Sequence, residues 1–382
     1  MKKINLFFIL AFREQTYIYD KKVQEINKKL EKNIKIMDTT LTWHYVILSK
    51  YFNLYNFYEY QETIEKFENA VIYHLPNGRD NRNTAVEEDL LKFRGKVPIV
   101  MRSYDAHSPI KLSSIYMDKY HDLTLTYLNK LVNQENRLFA QLCYDNFLVT
   151  KFHITPKHRK FASIILRKEN RPEYYEKSEN FKEIEIEKTY HLREEYAEYR
   201  QIELFGSNWS NSMPNFKGAL RYQRKHDIQN QYKFNFIIEN AIVDNYLSEK
   251  ILDTFLSLSV PVYLGSPVVS QYIPKECFID IRDFKNNDEL VKYLENMPSK
   301  EYDQYIKNIL KHRDTIFDSF STKNNFVIPV YEWYQKNYNK DLFFSQEDFM
   351  EEENRIKILK LKEENKLELF FEKVVNFIKI KM

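Results

Sequence analysis

The sequence YKFNFIIENAIVDNYLSEKIL, from Tyr232 to Leu252, carries the clearest structural signal in the chain. Its first seven residues are mostly apolar and aromatic, which is typical of a buried strand. A polar loop follows, and Ser248 then precedes a segment in which Leu252, Phe255 and Leu256 share one helical face. Because open α/β folds bind ligands where strands end and helices begin, this stretch predicts a binding site at the carboxyl edge of a sheet.

The helix that Ser248 would cap begins with an acid and a base, Glu249 and Lys250. A helix N-terminus carries unpaired N–H groups and a partial positive charge, so it attracts an anion such as a diphosphate. Lys250 would add a full charge there, and Glu249 can accept hydrogen bonds from sugar hydroxyls. Ordinary surface charges are the alternative interpretation, because Glu in the first turn stabilises any helix.

Outside this stretch, short apolar runs alternate with longer segments of helical period, which indicates parallel α/β units. Candidate strands lie at residues 6–10, 70–75, 97–101 and 123–127, and at 161–166, 202–205, 234–238, 260–264 and 278–281. Another helix is predicted to start at Asn286 or Asn287. Residues 152–158 are polar and contain Pro156, so they are interpreted as the connector between two domains. The predicted domains span residues 1–154 and 155–345, and a tail spans 346–382.

Spaced blocks in the second half resemble the signature of glycosyltransferase family 10, the α-1,3/4-fucosyltransferases. The blocks are IEN at 238–240, YLSEK at 246–250, VPVYLG at 260–265 and YIPKECFIDIRDF at 272–284. Their agreement in order makes the match specific over about residues 230–285. Two positions depart from the family pattern, since Ile238 replaces the usual Phe and Asn245 stands where many members have Asp.

The resemblance implies an α/β fold of the GT-B type, in which two Rossmann-like domains face a central cleft. The N-terminal domain would bind the acceptor and the C-terminal domain GDP-fucose, which is a substrate and not a cofactor. The resemblance also implies inversion at the fucose C1 without an essential metal or any other cofactor. The sequence has no Asp-x-Asp, the motif with which metal-dependent sugar transferases of the other major fold hold a cation on the diphosphate.

The predicted donor-binding residues lie in the loop and first helical turn after the strand at 234–238: Glu239, Asn240, Tyr246, Ser248, Glu249 and Lys250. In the family, counterparts of Tyr246, Glu249 and Lys250 contact the sugar nucleotide. The family also has an arginine that reaches the diphosphate as a fork-shaped donor. We favour Arg193 for this role and keep Arg171 as the alternative. The basic cluster of Arg221, Arg224 and Lys225 is interpreted as a solvated turn, with a contribution to phosphate binding as the alternative.

An inverting transferase needs a general base that takes the proton from the acceptor hydroxyl. The family places a glutamate for this role in an N-terminal loop that leads into Ser-Pro. Residues 102–109, RSYDAHSP, are the best local counterpart and lack the glutamate. We predict that Asp105 is the base, with His107, which titrates near neutrality, as its competitor. A turn that both residues merely shape is the remaining alternative.

Composition excludes several other functions. The five glycines are too far apart for GxGxxG, GxxxxGK[ST] or GxSxG, which excludes the common nucleotide loops and the serine-hydrolase elbow. A net charge of +3 argues against a nucleic-acid partner. Cys143 and Cys277 are too few for a disulfide framework or a Cys-rich zinc site, and their number fits a reducing, cytoplasmic compartment.

The end of the chain could contact a membrane. No run approaches the ~20 apolar residues that cross a bilayer. In the tail, Leu367, Phe370, Val374 and Ile378 recur at helical spacing among lysines. Such a basic amphipathic helix can lie on the inner face of the cytoplasmic membrane, and a helix packed on the protein body is the equal alternative.

The sequence therefore predicts a metal-independent enzyme that moves L-fucose from GDP-fucose to a GlcNAc or Glc hydroxyl of a lactosamine-like oligosaccharide. The expected linkage is α-1,3 or α-1,4, with lipopolysaccharide as a candidate carrier of the acceptor. Two alternatives stay open. One is a GT-B transferase that uses a different nucleotide sugar for a surface polysaccharide, and the other is a non-catalytic glycan- or nucleotide-binding relative.

Overall fold

The computed structural model describes most of both halves of the chain. The described residues are 3–10, 21, 24, 40–76, 84–102, 114–144, 159–168, 187–188, 190–220 and 225–338. They form two parallel sheets, one in each half of the chain. Among them, none of the helices combines the length and the apolar composition that crossing a bilayer requires.

The first sheet has six strands in the order β2-β1-β3-β4-β5-β6, and every neighbouring pair is parallel. Its strands are β1 (Asn5–Leu10), β2 (Asn53–Asn56), β3 (Ala70–Leu75), β4 (Ile99–Arg102), β5 (Leu123–Thr126) and β6 (Arg137–Phe139). The accompanying helices are α1 (Thr40–Tyr51), α2 (Phe57–Tyr60), α3 (Thr84–Phe93) and α4 (Ser114–Tyr120). All described residues of β3, β4 and β5 are buried, as expected for a parallel sheet covered on both faces.

The second sheet has five parallel strands in the order β13-β12-β10-β7-β9. Strands of this half are β7 (Lys160–Ile165), β8 (Glu187–Lys188), β9 (Ile202–Phe205), β10 (Tyr232–Ile238), β11 (Ala241–Ile242), β12 (Val260–Leu264) and β13 (Ile279–Asp280). β8 and β11 form a separate antiparallel pair. The helices are α5 (Tyr190–Ala197), α6 (Lys225–Gln229), α7 (Glu249–Leu256), α8 (Asn287–Glu295), α9 (Ser299–Ser319) and α10 (Ile328–Tyr338).

The two sheets confirm the predicted α/β class with two Rossmann-like halves. Each of the nine strands predicted from the apolar runs overlaps an observed strand. Ser248 caps α7, where its side chain accepts a hydrogen bond from the Lys250 N–H. Asn286 caps α8 in the same way, with the N–H of Glu289 as donor. Side-chain caps of this kind satisfy N–H groups that have no partner inside the helix.

After α9 the chain returns to the first half. Phe326, Val330 and Trp333 are buried in the same apolar cluster as the side chains of β1 and α1. The Tyr331 hydroxyl accepts a hydrogen bond from the N–H of Ile4 at 3.2 Å and donates to the carbonyl of Tyr51 at 2.8 Å. This segment lies within residues 155–345, the predicted second domain, although it packs on the first half. The boundary at 154/155 stays a prediction, and the tail at 346–382 lies outside the described residues.

A second apolar cluster joins the two halves next to the carboxyl edges of their sheets. It includes Met101 from β4 and Tyr127 just after β5, together with Val243 and Tyr246 from the loop before α7. The rings of Tyr127 and Tyr246 have their centroids 5.5 Å apart. The ends of β4 and β5 therefore lie against the loop that precedes α7.

Candidate active site

The buried carboxylate of Glu239 organises the loop between β10 and α7. This side chain is fully buried at the end of β10. Its Oε1 accepts a hydrogen bond from the N–H of Ser248 at 2.8 Å, and its Oε2 accepts from the Ser248 hydroxyl at 2.7 Å. The ammonium of Lys250 lies 3.0 Å from Oε2 and 2.8 Å from the Ser248 hydroxyl. A buried carboxylate requires such partners, so Glu239 fixes both the helix cap and the lysine.

Gly265 is required by the close approach of β12 to Glu239. A Cβ atom at this position would lie 2.6 Å from Cγ of Glu239 and 2.3 Å from the hydroxyl of Tyr263. Both side chains are buried, and the Tyr263 hydroxyl accepts a hydrogen bond from the N–H of Ser266 at 3.0 Å. Neither neighbour can give way without loss of its contacts, which explains the glycine of the VPVYLG block.

The loop also explains one departure from the family pattern. Asn245 has a φ of 62°, in the left-handed region. Asn and Asp are the side chains other than glycine that tolerate this conformation best, so an Asp at this position would fit equally well. The N–H of Asn245 donates to the Ser266 hydroxyl at 2.9 Å, and its side-chain oxygen accepts from Tyr272 at 2.7 Å.

A second ionic group lies beside the first and includes Lys225, which the sequence analysis interpreted as part of a solvated turn. Its side chain is only 12% exposed, and its ammonium lies 2.6 Å from Asp253 and 3.8 Å from Glu249. Asp253 is fully buried in α7 and also accepts a hydrogen bond from the Tyr144 hydroxyl. Spatial neighbours 28 residues apart in the chain leave no local pattern, which is why the interpretation of Lys225 was wrong.

The side chains of this group keep one another in their charged forms. Burial favours the neutral form of Lys225, but Asp253 and Glu249 together raise its pKa above the ordinary value for lysine. Burial also opposes ionisation of Glu249, yet Lys250 and Lys225 lower its pKa below the ordinary value for glutamate. At neutral pH the site therefore presents an ionised Glu249 between two cationic side chains.

These groups border a cavity of about 490 Å³ at the carboxyl edge of the second sheet. Its polar lining includes Arg167, Lys225, Asn240, Ser248, Glu249 and Lys250. Tyr246 also lines it, and Leu142 and Cys143 contribute a wall from the end of the first half. The size fits a small organic ligand, and the lining offers hydrogen-bond donors and acceptors for phosphates and hydroxyls.

The predicted arginine Arg193 lies behind the cavity and not along its wall. Its side chain is buried, and its guanidinium donates to the carbonyl of Ile238 at 3.1 Å and to the side-chain oxygen of Asn240. Arg193 thus supports the end of β10 and orients Asn240, which does line the cavity. The sequence analysis missed Arg167, although its position directly after β7 at the same sheet edge is the signal that could have found it.

Three other predicted site residues cannot be placed. Asp105 and His107 belong to residues 103–113, and Arg171 belongs to residues 169–186, all outside the described residues. Their roles stay predictions. Within the described ranges, no group of three or more His, Cys, Asp or Glu side chains is arranged to hold a metal ion.

Comparison with protein families gives one match, to the model described as "Glycosyltransferase family 10 (fucosyltransferase) C-term", over residues 177–324. Among curated proteins, the chain is 39% identical over 72 residues to the "Alpha-(1,3)-fucosyltransferase FucT" of Helicobacter pylori, covering 19% of this chain and 15% of that protein. It is 34% identical over 79 residues to the "Alpha-(1,4)-fucosyltransferase" of Arabidopsis thaliana, covering 21% and 20%. The matched region therefore spans a fifth or less of these relatives.

Solved structures match over a much larger part of the chain. A crystal structure of an α1,3-fucosyltransferase superimposes with a TM-score of 0.54 at 17% identity, covering 87% of this chain and 91% of that one. A crystal structure of an α1,3-fucosyltransferase with GDP gives 0.52 at 18% identity, covering 88% and 92%. This likeness confirms the predicted GT-B fold.

Proposed function

Residues 177–324 belong to glycosyltransferase family 10, and from this premise we propose that the protein transfers L-fucose from GDP-fucose to a hydroxyl of an oligosaccharide. The observation that carries the proposal is the buried Glu239, which holds Ser248 and Lys250 at the N-terminus of α7 on the wall of a cavity. These residues come from two of the spaced blocks that resemble the family signature.

Lys250 would bind the diphosphate of the donor. Its ammonium has three N–H donors, and two are directed to Glu239 and Ser248. Among the described residues the third has no acceptor, and the side chain is 23% exposed toward the cavity. The N-terminus of α7 adds a partial positive charge at the same point. Because the Lys250 ammonium is already oriented, its side chain loses little conformational freedom when a phosphate oxygen binds.

Glu249 and Tyr246 would contact the sugars of the donor. The ionised Glu249 carboxylate is an acceptor for a pair of hydroxyl groups, and its charge is maintained by Lys250 and Lys225. Tyr246 lines the cavity and packs on Tyr127 of the first half. Asn240, which Arg193 orients, supplies a further polar contact.

The chemical step is proposed to be a single inverting displacement. The acceptor oxygen forms a bond to C1 of fucose as the bond from C1 to the β-phosphate oxygen breaks, and GDP leaves with the electron pair. Asp105 would take the hydroxyl proton. Asp105 follows β4 by three positions in the chain, and Met101 of β4 packs in the same cluster as Tyr246, which supports a base close to the donor cavity.

The acceptor and cellular context are proposed from the sequence and from the names of relatives. An α-1,3 or α-1,4 linkage is consistent with the names of the two fucosyltransferases, and GlcNAc or Glc as the acceptor sugar is proposed from the sequence alone. Metal independence, a lipopolysaccharide carrier and contact of residues 346–382 with the cytoplasmic membrane face complete the proposal.

A donor panel with mass spectrometry tests this function. The full chain is incubated with GDP-fucose, GDP-mannose or UDP-glucose and with lactosamine or lactose, with and without EDTA. We expect transfer from GDP-fucose alone, unchanged by EDTA, and linkage analysis then identifies the hydroxyl used. Transfer from another nucleotide sugar would replace the proposed donor. Tight binding of GDP-fucose without product on any acceptor would indicate a non-catalytic relative.

A further inference from the structure

The charged groups around the cavity are almost completely paired with one another. Lys250 pairs with Glu239, and Lys225 pairs with Asp253. Glu249 adds a negative charge that lies 3.8 Å from the ammonium of Lys225. These five side chains together carry one negative charge, so as a group they do not neutralise the charge of a diphosphate.

Arg167 differs from the other cations that line the cavity. It lies two residues after the end of β7, which is the direct neighbour of β10 in the sheet. Its side chain is exposed and lines the cavity. It forms no hydrogen bond or ion pair with any other described residue, in contrast to Lys225 and Lys250.

The adjacent Lys168 does have neighbouring partners, so the lack of a partner among the described residues is specific to Arg167. Its ammonium lies 3.9 Å from Glu194 and 5.4 Å from the centre of the Trp209 ring. Lys168 does not line the cavity. Two successive basic residues therefore point to different surroundings, and only Arg167 borders the cavity.

We propose that Arg167 is a further donor-binding residue that contacts the diphosphate opposite Lys250, an inference that rests on the proposed use of a nucleoside diphosphate sugar. When the positive charge of Arg167 is added to the five ionic side chains, their total charge is zero before the donor binds. A guanidinium matches phosphate oxygens with two parallel N–H donors, and it has no carboxylate to leave when the phosphate arrives. Arg193 acts from behind the site, as a positioning residue for Asn240.

Binding of GDP and of guanosine to Arg167→Gln tests this role, because only GDP carries the phosphates. Calorimetry on the full chain at low salt gives both dissociation constants. We expect GDP to bind at least ~10-fold more weakly, as for loss of a charge-assisted hydrogen bond, with guanosine within about twofold of wild type. Arg167→Lys keeps the charge but loses the two parallel N–H donors. Its GDP affinity is expected to lie between those of wild type and Arg167→Gln. Lys168→Gln removes a neighbouring charge and is expected to match wild type.

Two results would overturn the assignment. GDP binding within twofold of wild type in Arg167→Gln would mean that the guanidinium does not contact phosphate. An equal weakening of GDP and guanosine would mean that Arg167 supports the nucleoside or the fold instead. Failure of the proposed function is separate: wild-type protein that binds GDP without fucose transfer contradicts the enzyme but not Arg167. Wild-type protein that binds no GDP contradicts both.

Discussion

The buried polar groups of the two halves solve the same problem with different chemistry. Beside α7 in the second half, the groups are charged, and they pair as Lys250 with Glu239 and Lys225 with Asp253. In the first half, the buried polar clusters include imidazoles, with Nδ1 of His74 2.9 Å from Nε2 of His121. The second half, with its ionic pairs, holds a preformed cavity. The first half, with imidazoles in its core, contains β4, which the predicted catalytic residue Asp105 follows in the chain.

The imidazole pair shares one hydrogen bond between two rings. Nδ1 of His121 lies 3.2 Å from the carbonyl of Met117, and a carbonyl can only accept. His121 therefore carries its proton on Nδ1, and its Nε2 accepts from Nδ1 of His74. This pair needs no charge of its own, whereas the second half offsets the desolvation of its ionic groups by pairing them. The first half also buries one charged side chain, that of Arg102.

Asp253→Asn should give the largest effect and tests whether the ionic half depends on its pairs. The change leaves Lys225 buried beside a neutral side chain and weakens the bond from Tyr144, so we expect a loss of about 3–5 kcal/mol in the free energy of unfolding. Urea unfolding followed by circular dichroism measures it. Asp227→Asn removes an exposed carboxylate from the neighbouring helix and should change little. Equal stability of the two variants would contradict the argument.

Asp105→Asn tests the first half as the source of the base. Removal of the proton acceptor should lower the rate of fucose transfer by ~10²-fold or more, which is about 2.7 kcal/mol, while GDP-fucose affinity stays nearly constant. Single-turnover kinetics separate the two quantities. His107→Gln is the parallel variant, and a rate loss there but not in Asp105→Asn would assign the base to the histidine. Full activity of both would place the base elsewhere in the first half.

Lys250→Ala tests the donor edge, and because it leaves the buried Glu239 carboxylate without its cationic partner, urea unfolding of the variant is measured alongside binding. Loss of a charge-assisted phosphate contact should weaken GDP-fucose binding by about 2 kcal/mol, or roughly 30-fold, while the protein stays folded. Glu249→Ala should also weaken binding, through the lost sugar hydroxyl contacts. Titration calorimetry gives both values, with the exposed Lys292→Ala as control. Wild-type affinity in either site variant would remove that residue from the donor site.

His44→Gln should give the smallest effect, and the measured quantity is the pH dependence of stability. The His44 ring bonds Thr322 at 2.8 Å and Tyr73 at 3.0 Å, and burial, aided by the positive charge of Arg102, holds its pKa well below 6.5. Folded protein keeps His44 neutral while unfolded protein protonates it, so stability falls as pH drops below about 6.5. The slope contribution is at most about 1.4 kcal/mol per pH unit.

The variant should therefore lose less stability than wild type between pH 7 and pH 5, even if it is less stable at pH 7. Urea unfolding across this range gives the slopes. Parallel slopes would show that His44 is not held neutral in the folded protein. That outcome would remove this imidazole from the contrast between the ionic pairs of the second half and the imidazole contacts of the first.

Local patterns predicted most of the fold. Nine strands and the caps Ser248 and Asn286 were predicted from apolar runs and residue spacings within short stretches of consecutive residues. The strands Asn53–Asn56 and Arg137–Phe139 escaped because they have four and three residues and contain polar side chains. A strand this short is specified by its neighbours in the sheet more than by its own composition.

The site was predictable only where its residues are close in sequence. Glu239, Ser248 and Lys250 lie within twelve positions, and the model brings their side chains together. Lys225 and Asp253 are 28 positions apart, and each alone fits an ordinary helix or turn. Arg167 reaches the same cavity from another strand, so its position depends on strand order, which spacing within one block does not encode.

The return of α10 to the first core has a consequence for synthesis of the chain. The contact between Ile4 and Tyr331 joins residues 327 positions apart. During translation the first half emerges long before α10, the segment that completes its core. The core of the first half therefore stays incomplete until almost the whole second half has been synthesised. Closing so large a loop is slow relative to local folding. The half made first on the ribosome is therefore the half that is completed last.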